Sequence, residues 1–223
     1  MWYNIEMRKT EFIQGEYYHL LNRGNNKQLT FLDERDYVRF LFLLLYFQMP
    51  IEFENITREI TYFIKHRTFD LSVDISKNRL VRLLNFCLMP NHFHLTVEEV
   101  AEAGISRYMQ RVLNAYTKYF NTRHERSGHL FQGPFKAIGV MGDDQLEYLS
   151  AYIHRNPREI TGWKDNEEKY EWSSYQDYII KNRWGALLGV RPVLSNFKSQ
   201  IDYQNFIKTS GAKESDLIEE HLF

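Results

Sequence analysis

The sequence predicts an α+β fold, a ferredoxin-like sandwich in which helices pack on one face of an antiparallel sheet. Three observations lead there. Strand-like and helix-like segments alternate in the order strand, helix, strand, strand, helix, strand, helix. Two of the strand segments are separated by only Pro90-Asn91, a turn signal that makes them a hairpin. The composition of the 223 residues, 43% hydrophobic and 26% charged with 11 Gly and 5 Pro, is that of one ordinary globular domain and excludes collagen-like and disordered classes.

Each element has its own signal. Glu16–Arg23 sets aromatic and aliphatic residues between charged ends and reads as a first strand ending in the loop Gly24-Asn25-Asn26. Asp33 is placed to cap a helix over Asp33–Gln48, where Tyr37, Phe40, Leu41, Leu44 and Leu45 recur at helical spacing and Pro50 ends the run. Ile51–Asn78 lacks clear periodicity and reads as an insertion, an extra hairpin or a mobile excursion. Arg79–Met89 suits a buried strand, and His92–Glu98 alternates as its antiparallel return. A helix follows from Ser106 to about Thr122, with an apolar stripe at Met109, Val112, Leu113, Tyr116 and Phe120. His129–Val140 reads as an extended segment broken at Gly133-Pro134, and Asp143 or Asp144 caps a last helix that Pro157 stops. Glu171–Phe223 is mixed in character, helical in places.

Charge and cysteine use narrow the class. The single cysteine, Cys87, and a Met1–Lys9 start without an apolar stretch point to a reducing cytoplasm. The longest apolar run, Phe40–Phe47, falls well short of the roughly 20 residues of a bilayer span, so no membrane partner is expected. The net charge is only −1, which by itself argues against nucleic acid. It is unevenly spread, however. Between Gly104 and Val140 the basic residues Arg107, Arg111, Lys118, Arg123, Arg126 and Lys136 face one acid, Glu125, while the tail from Ile201 onward is acidic. The basic segment is interleaved with Tyr108, Tyr116, Tyr119, Phe120, Phe131 and Phe135, the mixture that grips single strands by phosphate contact and base stacking, and equally the pattern of a solvated helix over an aromatic core.

Two short constellations can do chemistry. His92 and His94, two apart on a strand, project to one face while Phe93 enters the core. Such a pair is half of a metal site, or two strand histidines bonded to their neighbours. Tyr152 and Asn156 are four apart near the end of the last helix and share a helical face. They offer a phenol and an amide together, or a packing ring and a C-terminal cap. Two imidazoles and an amide oxygen make a three-ligand site for a divalent cation, with a tyrosine held beside it. A phenol with a pKa near 10 needs such a neighbour to attack phosphorus. Tyr116 and Tyr119 have no amide or carboxylate four residues on, and His154 reads as a surface or DNA-contacting residue on another face. His129 is read as a substrate contact or a structural residue.

Met89-Pro-Asn-His-Phe-His-Leu95 resembles the motif of the HUH single-strand endonucleases, and Tyr152-Ile-His-Arg-Asn-Pro157 that of the IS200-like single-tyrosine transposases. Tyr170-Glu-Trp-Ser-Ser-Tyr175, Tyr108-Met-Gln, Gly128-His-Leu-Phe-Gln132 and Phe135-Lys136 are similar to the REP-associated tyrosine transposase branch. The resemblance runs from about Gly15 to Tyr178. It implies that His92, His94 and Asn156 hold Mg or Mn, and that Tyr152 is the nucleophile of a transposase. Such an enzyme nicks single-stranded, hairpin-containing DNA through a 5′-phosphotyrosine and rejoins the free 3′-OH. It also implies a monomer or homodimer, a catalytic domain over residues 1–178 and an extension over 179–223. Two rivals share the residues. One is a domesticated DNA- or RNA-binding module on the same fold that does not cleave. The other is a metallohydrolase in which the metal activates water, and it needs Glu98 or Glu99 as a further ligand.

Overall fold

The computed structural model describes residues 11–50, 56–66 and 78–212. The Met1–Lys9 stretch, the flanks of the expected insertion and the acidic residues after 212 lie outside them. Four strands, β1 (Tyr17–Arg23), β2 (Val81–Met89), β3 (His92–Glu99) and β4 (Lys136–Val140), form one sheet in the order β2-β3-β1-β4, antiparallel throughout. Three long helices accompany them, α1 (Glu34–Tyr46), α3 (Gly104–Arg123) and α4 (Asp143–Arg155), together with α2 (Ile56–His66) and the short α5 (Tyr175–Ile179), α6 (Arg191–Leu194) and α7 (Gln200–Thr209). None of these helices is long and apolar enough to cross a membrane.

The α+β class and the element order agree with the sequence, but the helices lie on both faces of the sheet. One core joins α1, α2 and α3 to Tyr18, Leu20, Phe86, Leu88, Phe93 and Leu95. The second joins α4, α5 and α7 to Leu21, Leu84, Cys87, Met89 and Val140. The two lists alternate along each strand, as two-sided burial of a pleated sheet requires. A break in register between Leu83 and Asn85 lets Leu83 and Phe86 face the same side. The expected insertion contains a helix rather than a hairpin. Ile56, Ile60 and Phe63 recur at helical spacing and pack into the first core, a signal masked in the sequence by β-branched and charged neighbours.

Caps fix the helix positions. Asp33 caps α1 as expected, accepting from the backbone N–H of Arg35 and Asp36. The N-terminus of α3 is capped from outside the helix, because the buried Glu99 carboxylate at the end of β3 accepts from Gly104 N at 2.9 Å and Ile105 N at 2.6 Å. Gly142, not an aspartate, is the N-cap of α4, and Asp143 and Asp144 occupy its first turn. The residues beyond 179 supply Val193, Tyr203, Ile207 and Ala212 to the second core.

The charges of α3 also serve the fold. Arg123 reaches across to α1 and binds Asp33 and the fully buried Asp36, whose carboxylate also accepts from Leu32 N and contacts Tyr119 and His124. The Arg123 guanidinium holds the Asp33 carboxyl down at about 2. Removing Asp36 leaves several donors without their acceptor, so Asp36→Ala should cost about 3 kcal/mol in urea unfolding.

Candidate active site

The second core is interrupted by a polar patch on the sheet. In β1, Tyr17, His19, Leu21 and Arg23 alternate onto one face. Pairing with β3 sets Leu21 opposite His94 and Arg23 opposite His92. His92 and His94 therefore stand side by side on the face covered by α4, their ring centroids 5.0 Å apart, while Phe93 enters the first core. The same register brings in a third imidazole. His19, 3% exposed, meets His94 Nδ1 through its Nε2 at 2.9 Å. Nothing in the sequence joined His19 to the pair, because the contact exists only through strand register.

From α4, the Tyr152 ring packs edge-on against His94 at 5.5 Å and against His19 at 6.0 Å. It is 2% exposed. Asn156, the C-cap of α4, is fully buried and donates Nδ2 to the carbonyls of Tyr152 at 2.9 Å and Ile153 at 3.3 Å. Its Oδ1 is buried without a hydrogen-bond partner, a costly state for a carbonyl oxygen. Asn156 is thus a C-terminal cap and a spare acceptor at once.

The rings' protonation follows from their neighbours. Asn91 Nδ2 donates to Lys27 O at 3.2 Å, so its Oδ1 faces His92 and accepts from Nδ1 at 2.7 Å. That fixes the His92 proton on Nδ1 and leaves the lone pair on Nε2. One proton lies between His94 Nδ1 and His19 Nε2; carried by His94, it leaves the lone pair on His94 Nε2. Two imidazole lone pairs and the orphan amide oxygen fit the donor set of a divalent cation. Among the described residues no group of three or more His, Cys, Asp or Glu is placed to hold a metal, since His19 points at His94 rather than at a shared centre. The carboxylates that a water-activating metal would need are engaged elsewhere. Glu98 pairs with Arg82 at 2.7 Å, and Glu99 caps α3.

Other expected residues fall in different places. Tyr116 and Tyr119 lie on the opposite side of the sheet; Tyr116 is buried, its phenol donates to Thr30 O, and burial raises its pKa. Of the basic residues, Arg111 binds Met49 O at 2.6 Å and stacks on Phe47, Arg123 is held by Asp33 and Asp36, and Arg126 binds Gln28 at 2.8 Å. Arg107 folds back onto Glu102 O. Lys118 and His129 line a cleft of about 620 Å³ beside α3. Lys136 stands at the start of β4, in line with Leu21 and His94.

His154 is neither at the surface nor free to meet DNA. Fully buried, it bonds Tyr203 of α7 through Nδ1 at 2.6 Å and Ser174 through Nε2 at 2.8 Å. Ser174 Oγ in turn accepts from Phe86 N in β2, so the imidazole ties the C-terminal helix to the sheet. Burial lowers its pKa from 6.5 to about 3. The unfolded chain therefore binds one more proton than the folded one between these values, and stability falls as pH drops below about 6.5. The loss should reach about 2 kcal/mol by pH 5. In urea titrations between pH 7 and 5, the midpoint of His154→Gln should shift less than that of the parent protein.

Residues 55–156, just under half of the chain, match the family model for "Transposase IS200 like", and the match ends on Asn156. No curated protein matches. Among solved structures, a REP-associated tyrosine transposase bound to a REP hairpin shares the fold at a TM-score of 0.50, with 14% identity over 80% of this chain and 87% of that one. The segment 55–156, which carries His92, His94, Tyr152 and Asn156, thus matches the IS200-like transposase family model, in a fold shared with a REP-associated tyrosine transposase.

Proposed function

We propose that the protein nicks and rejoins hairpin-bearing single-stranded DNA, with Tyr152 as nucleophile and His92, His94 and Asn156 holding Mg or Mn. The observation that carries this reading is the Tyr152 ring packed against His94, one helical turn from an amide oxygen that has no partner. The solved relative holds a REP hairpin, which supports a hairpin as the substrate here.

A bound cation would act as a Lewis acid, drawing charge from the phosphodiester. The chain's own part is placement. The Tyr152 oxygen bonds to phosphorus, and the bond from phosphorus to the 3′ oxygen of the preceding nucleotide breaks. Tyr152 gives up its proton and the departing oxygen takes one up, so protons balance. The tyrosyl ester keeps the energy of the broken bond, and a 3′-OH can reverse the step without an outside source. His19 is a positioning residue in this scheme. By accepting the His94 Nδ1 proton it holds the ring in the tautomer whose Nε2 is a ligand.

Tyr152→Phe should abolish the covalent band formed by labelled hairpin DNA with Mg or Mn on a denaturing gel, while hairpin binding stays within about twofold. An adduct that survives in this variant removes Tyr152 from the role. A non-cleaving binding module would share the 2% exposure of Tyr152. It would bind the hairpin and give no adduct even with Tyr152 present. His19→Ala should weaken Mn binding about 10- to 100-fold, read from the EPR signal of free Mn, and His19→Gln should restore part of it.

A further inference from the structure

The end of the sheet farthest from the histidine pair holds a cleft of its own. It occupies about 630 Å³ between the start of β2 and the residues beyond α5, and its lining includes Arg79, Arg82 and Arg191 together with Leu188, Val190 and Pro192. Among the described residues, none that lines it is acidic. Register fixes its distance from the candidate active site, since Arg82 lies opposite Glu98 and Met89 opposite His92. From His92 to Glu98 along β3 is roughly 20 Å.

The fold sets the guanidinium groups in place. Arg79 donates Nη2 to Ala186 O at 2.8 Å, while its Nε is buried without an acceptor. An unpaired buried donor on a charged group is costly. The Arg82 stem lies against Gly189, where a Cβ would fall 2.7 Å from Cδ and 2.9 Å from Cγ, so a side chain there would push the arginine aside. Gly189 is itself tied to the sheet, its N donating to Leu83 O at 2.8 Å. Asn182 braces the loop between, donating Nδ2 to Gly185 O and Leu188 O, each at 3.0 Å, and accepting from Trp184 N at 2.9 Å. Against three guanidinium groups stands one carboxylate, because the ion pair these arginines make among the described residues is Arg82 with Glu98 at 2.7 Å. Burial and the nearby Arg82 guanidinium push the Arg79 pKa down, as crowding of like charges requires.

We propose that this cleft binds a small phosphomonoester, with Arg79, Arg82 and Arg191 on the phosphoryl oxygens and Val190 and Pro192 against the organic part. Guanidinium forks match phosphoryl oxygens in geometry as well as charge. Three cations less the Glu98 carboxylate leave two charges to balance, which a phosphomonoester dianion supplies and a single phosphodiester link does not. A cavity of about 630 Å³ has room for a ligand the size of a mononucleotide. The proposal does not rest on the nuclease reading, since the cleft lies at the other end of β3 from the histidines. Nothing in the sequence joined these arginines, because Arg191 meets the other two only through the loop that Asn182 braces.

The test is calorimetric titration of the full chain in EDTA, in a phosphate-free buffer, with adenosine 5′-monophosphate, adenosine and inorganic phosphate in turn. The monophosphate should bind one to one, adenosine should give no heat, and inorganic phosphate should bind about fivefold or more weakly because it has nothing to set against the apolar wall. Arg191→Gln changes an exposed side chain and should weaken the monophosphate about tenfold, the loss of one charge-assisted contact, with thermal melting to confirm folding. Lys118→Gln, in the cleft beside α3, should leave its Kd within about twofold. A dithymidine phosphodiester without a terminal phosphate should not displace it. A Kd for Arg191→Gln within about twofold of the parent, or adenosine binding as tightly as its monophosphate, overturns the proposal. Equal binding of inorganic phosphate makes the site one for the free anion, and displacement by the diester makes it a backbone contact; either result overturns the phosphomonoester.

Discussion

Pairing β1 with β3 so that Leu21 lies opposite His94 is the constraint from which the site follows. It aligns His19, Arg23 and the two β3 histidines on one face, puts His19 within hydrogen-bond reach of His94, and brings Lys136 into the same row through β4. Because side chains alternate, a slip of one residue would turn His19 and Arg23 into the first core and bring Tyr18 and Leu20 to the site. The apolar residues between them prevent this. Tyr18 and Leu20 are buried in the first core, and their packing holds the register that the polar residues use.

The two faces of the sheet divide the work. The first core is built from aromatic and aliphatic side chains, and its helices are joined by ion pairs and capped carbonyls. The second is thinner and carries the polar groups, with α4 held over them by buried hydrogen bonds. His154 bonds Tyr203 and Ser174, and Tyr203 also meets Ser150 of α4 at 2.6 Å. The C-terminal residues thus help to position the helix that carries Tyr152. A net charge of −1 is compatible with this plan, since what matters is where the charges lie rather than their sum.

Much of the fold was legible because its signals are local. Asp33 as a cap, Pro90-Asn91 as a turn, and the alternation that sends His92 and His94 to one side all depend on neighbours within a few residues. The site was half legible for the same reason. His92 with His94, and Tyr152 with Asn156, are each set by strand or helix period. His19 was not, because it lies 75 positions from His94 and only strand pairing joins them. The basic run from Arg107 to Lys136 was legible only as charge. Linear charge cannot distinguish a guanidinium held by Asp36 from an ammonium facing a cleft. His154 misled because a polar residue between two site residues can still point into a core.

Tyr152 is sealed under its own helix, at 2% exposure. On the proposed chemistry, its oxygen must become accessible to a phosphate, and the hydrogen bonds from His154 to Tyr203 and Ser174 hold the helix that carries it. A nuclease of this kind would pass over stray single strands and act only where a bound hairpin supplies enough binding energy to open the seat of its tyrosine, so that recognition is checked by the fold before the strand is cut.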